Sequence, residues 1–532
     1  MTDDGTAAAS GAWEPLRLPV FRALWIAVLV SNIGTWMQMV GAQWLLVEAG
    51  SGSAVIALVQ TASTLPVLLL ALPAGVLADS FDRRRLLIAV MIFQTAVVST
   101  LAVLTSIGHM PAGLLLTLTF VMGAGTAVIA PAYQALIPDL VSRPQLPAAA
   151  SLGAVSMNVA RAVGPALAGV IVARAGVGWV FALNAVSFLA VAVVLFAWRR
   201  SAEDSDAHPE RFLAALRAGG RYVRHSPVMR RILLRSGLFV VPATSLWALL
   251  PVVASGPLGL GASGYGALLA ALGVGAVAGV FVLPSVRARF TINQLLAGSS
   301  LVYGAALLVL ALVPHPAVAV VALLPAGLAW VAVLSGVTAA IQLFLPRWVR
   351  ARGLSVYQMT FFGAQAVGGI VWGLVAQRFG LLPTFLTAAA LLFAAAATVR
   401  QWPLLDTRHL DRSPAVYWPE PDLAYSPEPD EGPVIVTVRY TVPPEAEVAF
   451  REAMSRVRRS RRRTGATQWG LFRSGERPDE FVEFYVVGSW DEHLRQHGGR
   501  LTGADRDAEA DARSFTSSEP VVQHLFPSGV TD

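Results

Sequence analysis

The sequence predicts an all-α polytopic membrane protein, with twelve transmembrane helices in two six-helix repeats and a small α+β, ferredoxin-like domain at the C-terminal end. Three observations predict it. Hydrophobic residues make up 55 % of the 532 and charged ones only 14 %, against about 25 % charged in a typical soluble domain. With a mean hydropathy of +0.60, the chain cannot cover a water-facing surface, so most of it faces lipid. The second observation is an internal repeat at an offset of 204 residues, and the third is a change of composition near residue 400.

What the chain lacks narrows its chemistry. Cysteine is absent, which excludes disulfides, thiolate metal sites, thiol nucleophiles and iron–sulfur clusters. All 40 basic residues are arginine, so neither a Schiff-base lysine nor the Walker lysine of a P-loop ATPase exists here. Residues 1–400 carry 24 Arg against 11 acids, and residues 401–532 carry 16 Arg against 22, or +13 and −6 within a net charge of +7. The arginines of the first part sit between apolar runs, so no nucleic-acid partner is expected.

Residues 1–19 are acidic and rich in small side chains, lack the basic start of a signal peptide, and read as a cytoplasmic tail. Twelve apolar segments follow, the first at 23–47, the eleventh at 353–377 and the last at 381–399, each near the ~20 residues that a bilayer core requires. An even count puts both termini on one side. With that side cytoplasmic, 21 of the 24 arginines lie in the tail, inner loops or inner helix ends, as the positive-inside rule requires. Arg174 and Arg378 fall outside, and Arg161 lies within a segment. The predicted organisation is a six-helix repeat at 20–200, a cytoplasmic central loop at 201–231, a second repeat at 232–400 and a linker at 401–433. The expected location is the inner (plasma) membrane, with the lipid bilayer as partner.

A shift of 204 lays Gly75 on Gly279, Arg83 on Arg287, Arg85 on Arg289, Arg143 on Arg347 and Ser151 on Ser355. It also lays Ala162-Val163-Gly164 on Ala366-Val367-Gly368, Gly169 on Gly373, Arg174 on Arg378 and Gly176 on Gly380. Apolar composition alone does not hold one offset across separate loops and helices. Parallel six-helix repeats place a substrate path between the halves. Beyond the linker, 434–440 alternates as a strand, 443–463 reads as a helix, 468–473 and 480–487 as strands, 491–497 as a helix and 521–526 as a strand. That βαββαβ order predicts a cytoplasmic ferredoxin-like domain at 434–532.

The loop Gly75-Val76-Leu77-Ala78-Asp79-Ser80-Phe81-Asp82-Arg83-Arg84-Arg85-Leu86-Leu87 joins segments two and three. It resembles the signature loop of the major facilitator superfamily, with Asp82 and Ser80 at the usual second glycine and first basic positions. Gly75 allows close helix approach. Asp79 can accept from a helix N-terminus near Gly353, and Arg83 can pair with Asp139, so Gly75, Asp79, Arg83, Arg84 and Asp139 are the expected gating loop. Asn32-x-Gly34-x-Trp36-Met37-Gln38, Pro131-Ala132 with Gln134–Pro138, and Asn158-x-x-Arg161-x-x-Gly164-Pro165-Ala166 are similar to the enterobactin-exporter-like branch, the transmembrane secretion effectors. That resemblance spans about residues 15–400. It implies alternating-access export of a small molecule (siderophore, drug or secondary metabolite) and the antiporter coupling to a proton common in the superfamily, although no segment carries a carboxylate at its middle. Gly164, Pro165 and Gly169 form a kink or packing element similar to the antiporter signature, with Ala168 where a glycine is expected.

Arg161 is the one ion deep in a segment, either serving an anionic substrate or held by carbonyls and amides such as that of Asn158. With Asn32, Gln38, Asn158, Gln358 and Gln365 it forms the expected substrate cavity, although these amides can equally bond across helices. The tail resembles the antibiotic-biosynthesis-monooxygenase-like dimeric α+β barrels through Gly488-Ser489-Trp490-Asp491-Glu492-His493-Leu494-Arg495-Gln496-His497, which implies self-association. His493 and His497, four residues apart, read as a solvated helix face before a metal site, so neither a metal nor another cofactor is expected. Two rival readings remain: an importer of the same fold, and a membrane-anchored oxygenase acting through the tail. The second needs one anchoring helix and no duplicated loop.

Overall fold

A computed structural model describes residues 13–198, 220–405, 410–413, 415–418, 421, 423–424 and 426–528. Expectations for the first twelve residues and for most of the central loop lie outside the described residues. So do the surroundings of Gly75 and the side chain of Asp79.

The first six-helix set comprises α1 (Pro19–Glu48), α2 (Ser53–Ser80), α3 (Arg83–Ser106), α4 (Ala112–Leu136), α5 (Leu146–Ala175) and α6 (Val177–Ala197). The second comprises α7 (Pro227–Ser255), α8 (Ala262–Arg289), α9 (Ile292–Leu312), α10 (Pro316–Phe344), α11 (Arg347–Phe379) and α12 (Leu381–Ala397). Eleven of these are long and apolar enough to cross a membrane, and α12 is a shorter apolar helix of 17 residues. Their outer faces expose large apolar groups such as Phe196, Phe281, Val321 and Leu343, which only a lipid surrounding accommodates. Helix α11 starts at Arg347, directly after Pro346. Gly353 is therefore inside a helix, and the helix N-terminus expected there lies six residues earlier.

Local signals set the joints. Asp82 caps α3 by accepting from the Arg85 N–H at 2.8 Å, a short polar side chain serving an orphan amide. Gly176 and Gly380 hold φ of +87° and +85° between α5 and α6 and between α11 and α12. These are repeat mates, and an L-side chain at either would be strained. Prolines inside α2, α4, α5, α7, α8 and α10 are tolerated because neighbouring helices re-satisfy freed carbonyls.

The tail builds β1 (Val434–Thr441), α13 (Glu447–Thr464), β2 (Gln468–Arg473), β3 (Glu480–Val487), α14 (Trp490–Arg495), α15 (Gly503–Arg513) and β4 (Val521–Leu525). Its sheet is antiparallel in the order β2-β3-β1-β4, the split arrangement expected of the βαββαβ pattern. Val434, Val436, Val438 and Tyr440 alternate inward onto Phe450, Met454 and Val457 of α13. The sequence reading missed α15, because Gly-Ala-Asp-Arg-Asp-Ala-Glu-Ala-Asp-Ala-Arg offers only alanines as an apolar stripe. A capping box between Thr502 and Asp505 starts it, which is the signal that was there to read.

By compactness the chain forms two units. One takes in residues 1–208, 234–337 and 358–403, and the other 209–233, 338–357 and 404–532.

Candidate functional site

Within the helical unit the two repeats meet through equivalent positions. Gln43 donates to the carbonyl of Trp247 at 3.1 Å, and these two residues are 204 apart, so each touches its own repeat mate. Only groups on a two-fold pseudo-axis do that. Gln43 also accepts from the Tyr265 hydroxyl, and Trp44 stacks on the Tyr265 ring.

Flanking this axis are two close helix crossings built from small residues. A Cβ at Gly169 on α5 would lie 2.8 Å from the Ala262 carbonyl and 3.0 Å from Gly266 on α8. A Cβ at its mate Gly373 on α11 would lie 2.7 Å from Ala57 on α2. Gly164 abuts Trp36 on α1, and its mate Gly368 abuts Thr244 on α7. Glycine removes the side chain so that backbones can approach. Gln60 donates to Gln365 at 2.7 Å and Thr61 to the Ala366 carbonyl at 3.0 Å across the α2–α11 crossing. These contacts occupy the helix portions from the middle to the arginine-poor loops.

Arg161 lies near the middle of the 30-residue α5. Its guanidinium sits 5.5 Å over the Trp36 ring. The Nε is buried, and no hydrogen-bond acceptor meets it among the described residues. Asn158 is turned instead to the Ala154 carbonyl at 2.9 Å. From Trp36 a row of rings continues: Trp247 at 5.8 Å, Trp330 at 5.5 Å from Trp247, and Phe361 at 6.1 Å from Trp330, with Phe362 beside Phe361. Trp247 and Trp330 are buried, whereas Trp36, Phe361 and Phe362 keep open surface. This row draws on α1, α7, α10 and α11, and no sequence spacing links its members.

The remaining predicted cavity residues divide by partner. Asn32 donates to Ser156 at 3.0 Å. Gln38 is buried, donates to the Met122 sulfur at 2.7 Å and accepts from Asn184 at 2.5 Å, tying α1 to α4 and α6. Gln365 is held by Gln60, and Gln358 is exposed. At the arginine-rich end, Arg83 donates to the Ala135 carbonyl at 3.1 Å, four residues before Asp139. Its mate Arg287 donates to Ser335 at 2.7 Å. Arg84 caps the end of α6 through the Leu195 and Phe196 carbonyls at 2.7 and 2.8 Å. Arg235, 4 % exposed, does the same at the end of α12 through Ala395, Thr398 and Trp402. A guanidinium over a helix C-terminus meets both the orphan carbonyls and the dipole. The sequence reading singled out Arg84 by its motif but had no signal for Arg235.

In the second unit, Arg461 on α13 is buried between Glu483, at 3.1 Å, and Glu509. Burial opposes its charge, but the two carboxylates outweigh that and hold the guanidinium well above its ordinary value. Tyr440 and Trp469 each donate to Glu483 at 2.8 Å, and Trp418 donates to Glu509 at 2.9 Å. His493 meets His497 and His524 with ring nitrogens 3.2 and 2.9 Å apart. Burial, and then the neighbouring histidines, push His493 down to about 3. The tail also reaches Arg221 and Trp348, which belong to the same unit. The Arg500 guanidinium lies 5.0 Å over the Trp348 ring, Trp348 donates to the Arg500 carbonyl at 3.3 Å, and Arg221 pairs with Glu492.

Two six-helix repeats packed about a pseudo-axis are the architecture of a transporter of the major facilitator superfamily. The chain belongs to the transmembrane secretion effector family, whose model matches residues 10–528 and so takes in the tail as well. It is similar to the staphyloferrin A transporter of Staphylococcus aureus, 27 % identical over 52 % of this chain and 70 % of that one. It is also similar to the multidrug efflux pump Tap of Mycolicibacterium fortuitum, 25 % identical over 70 % of this chain and 91 % of that one. The fold matches a bacterial homologue of the lysosomal transporter Spinster with a TM-score of 0.58 at 16 % identity, over 73 % of this chain and 98 % of the other.

Proposed function

We propose that the protein exports a small molecule carrying an acidic or strongly hydrogen-bonding group on an apolar or aromatic body. The buried Arg161 Nε, which meets no acceptor among the described residues, carries this reading. A guanidinium at mid-membrane is costly, and a structural one normally finds carbonyls or carboxylates. This one has an aromatic ring beneath it and a bond left to make. The row Trp36–Trp247–Trp330–Phe361 supplies the apolar wall on which the substrate body stacks.

In the proposed topology both termini are cytoplasmic and the arginine-poor loops face outward. The bonds Gln43–Trp247, Gln60–Gln365 and Thr61–Ala366 are then the outer gate, and they must break for release. Asp79, Arg83, Arg84 and Asp139 form the inner gate, and a proton is the coupling ion. Both a staphyloferrin A transporter and efflux pumps are among the relatives, which favours export of a siderophore-like acid or a drug. The tail, similar to self-associating α+β barrels, serves assembly or regulation.

The test is transport in oriented vesicles. Everted vesicles with an acidic lumen should accumulate candidate carboxylate siderophores or amphipathic drugs in exchange for protons leaving down their gradient, and Arg161→Gln should abolish that uptake. Uptake confined to right-side-out vesicles would establish import instead.

A further inference from the structure

We propose that His493, His497 and His524 of the tail domain bind one divalent transition-metal ion through their Nε2 atoms. His493 is on α14, His497 follows one turn later, and His524 comes from the edge strand β4, 31 residues after His493. Their ligand atoms all lie within 4.8 Å of one another. The two closest pairs, 2.9 and 3.2 Å, are near the about 3.3 Å that separates ligands at tetrahedral corners with 2.0–2.1 Å zinc–nitrogen bonds.

The hydrogen-bond chain behind His493 decides which nitrogen carries its lone pair. Thr464 spends its single hydroxyl proton on the Ser460 carbonyl at 2.9 Å, so it accepts from the Gln496 amide at 3.1 Å. Gln496 therefore turns its carbonyl oxygen to His493 Nδ1, at 3.2 Å, and Nδ1 is the donor. The Nε2 of His493 is left as a bare lone pair facing two other imidazole nitrogens. One lone pair accepts one N–H well and not two, whereas a cation satisfies all three nitrogens at once.

This Gln496 arrangement is also the outer support that metal-bound imidazoles use to fix tautomer and ring orientation. Trp490 and Trp418 pack on the cluster, with ring centroids 5.4 and 6.2 Å from His493, and the Tyr485 ring lies 6.4 Å from it. An all-imidazole set suits zinc, copper, iron or nickel rather than calcium or magnesium. Three protein ligands leave a fourth position for water or another donor. Bound metal would pin α14 to β4, and α14 also carries Glu492, the partner of Arg221.

The test uses the full chain in detergent, purified without a polyhistidine tag and stripped by chelator. Titration with ZnCl2 should show one tight ion per chain. His497→Gln and His524→Gln should each weaken it at least about tenfold, and His315→Gln, in the loop before α10, should leave it unchanged. The wild-type protein loaded with Co2+ should show the intense visible bands of four- or five-coordinate cobalt. An affinity untouched by both His497→Gln and His524→Gln overturns the assignment, and so does a six-coordinate, aquo-like cobalt spectrum.

Discussion

Replacing Arg161 with glutamine separates a binding arginine from a structural one, because the two readings predict opposite signs. In the protein without substrate the guanidinium contributes a cation–π contact with Trp36, worth about 0.5–2 kcal/mol. Against this stands a buried Nε that meets no acceptor among the described residues, a deficit of about 1–3 kcal/mol. These offset each other, so Arg161→Gln should insert normally and melt within a few degrees of the wild type. Binding is different. A hydrogen bond to a charged group contributes about 1.5–3 kcal/mol, which at 1.4 kcal/mol per decade is about a 10- to 150-fold loss of affinity. Arg161→Lys should restore only part, since the planar fork is lost. Thermal-shift measurement of purified variants with and without ligand reads both quantities. A strongly destabilised Arg161→Gln protein whose surviving fraction keeps the full ligand-induced shift would refute the reasoning.

Three further outcomes are expected. Asp79→Asn should insert and fold but lose most transport and alter labelling from outside, since the charge is needed in one conformation only; normal transport by this variant would remove Asp79 from the gate. Gly169→Ala places a methyl 2.8 Å from the Ala262 carbonyl, a backbone atom that cannot swing aside. It should cost about 1–3 kcal/mol, read as a lower melting temperature, and an unchanged melt would mean that the α5–α8 crossing has slack. Deleting residues 406–532 should leave an inserted protein with some transport, measured in vesicles, and complete loss of transport despite correct insertion would make the tail part of the mechanism.

The helical architecture was legible because lipid imposes it: a span needs about 20 apolar residues and satisfies its own backbone. The 204-residue offset announced the pairing of Gly169 with Gly373 and Gly176 with Gly380 before any contact was known. The first strand of the tail was likewise readable from its alternation at Val434–Tyr440, and the split sheet from the βαββαβ order of elements. Helix α15 escaped because its stripe is alanine among charges, and burial of Glu509 and Asp505 makes it amphipathic only when α13 supplies Arg461 and Arg463.

By itself the sequence determined the membrane class, the two repeats, the loop arginines and the isolation of Arg161 as an ion within a segment, since each depends on local composition or on a fixed offset. Only the tertiary structure decided what these groups meet. It bonded the Asn158 amide to the Ala154 carbonyl, set Trp36 beneath the guanidinium, aligned Trp247, Trp330 and Phe361 behind it, and brought Gln43 onto its own repeat mate. It also carried His524 from a strand to the two helix histidines. The reason is physical: periodicity reports which face of an element is apolar, but contacts between elements far apart in the chain follow from helix crossings and strand register, which no single segment encodes.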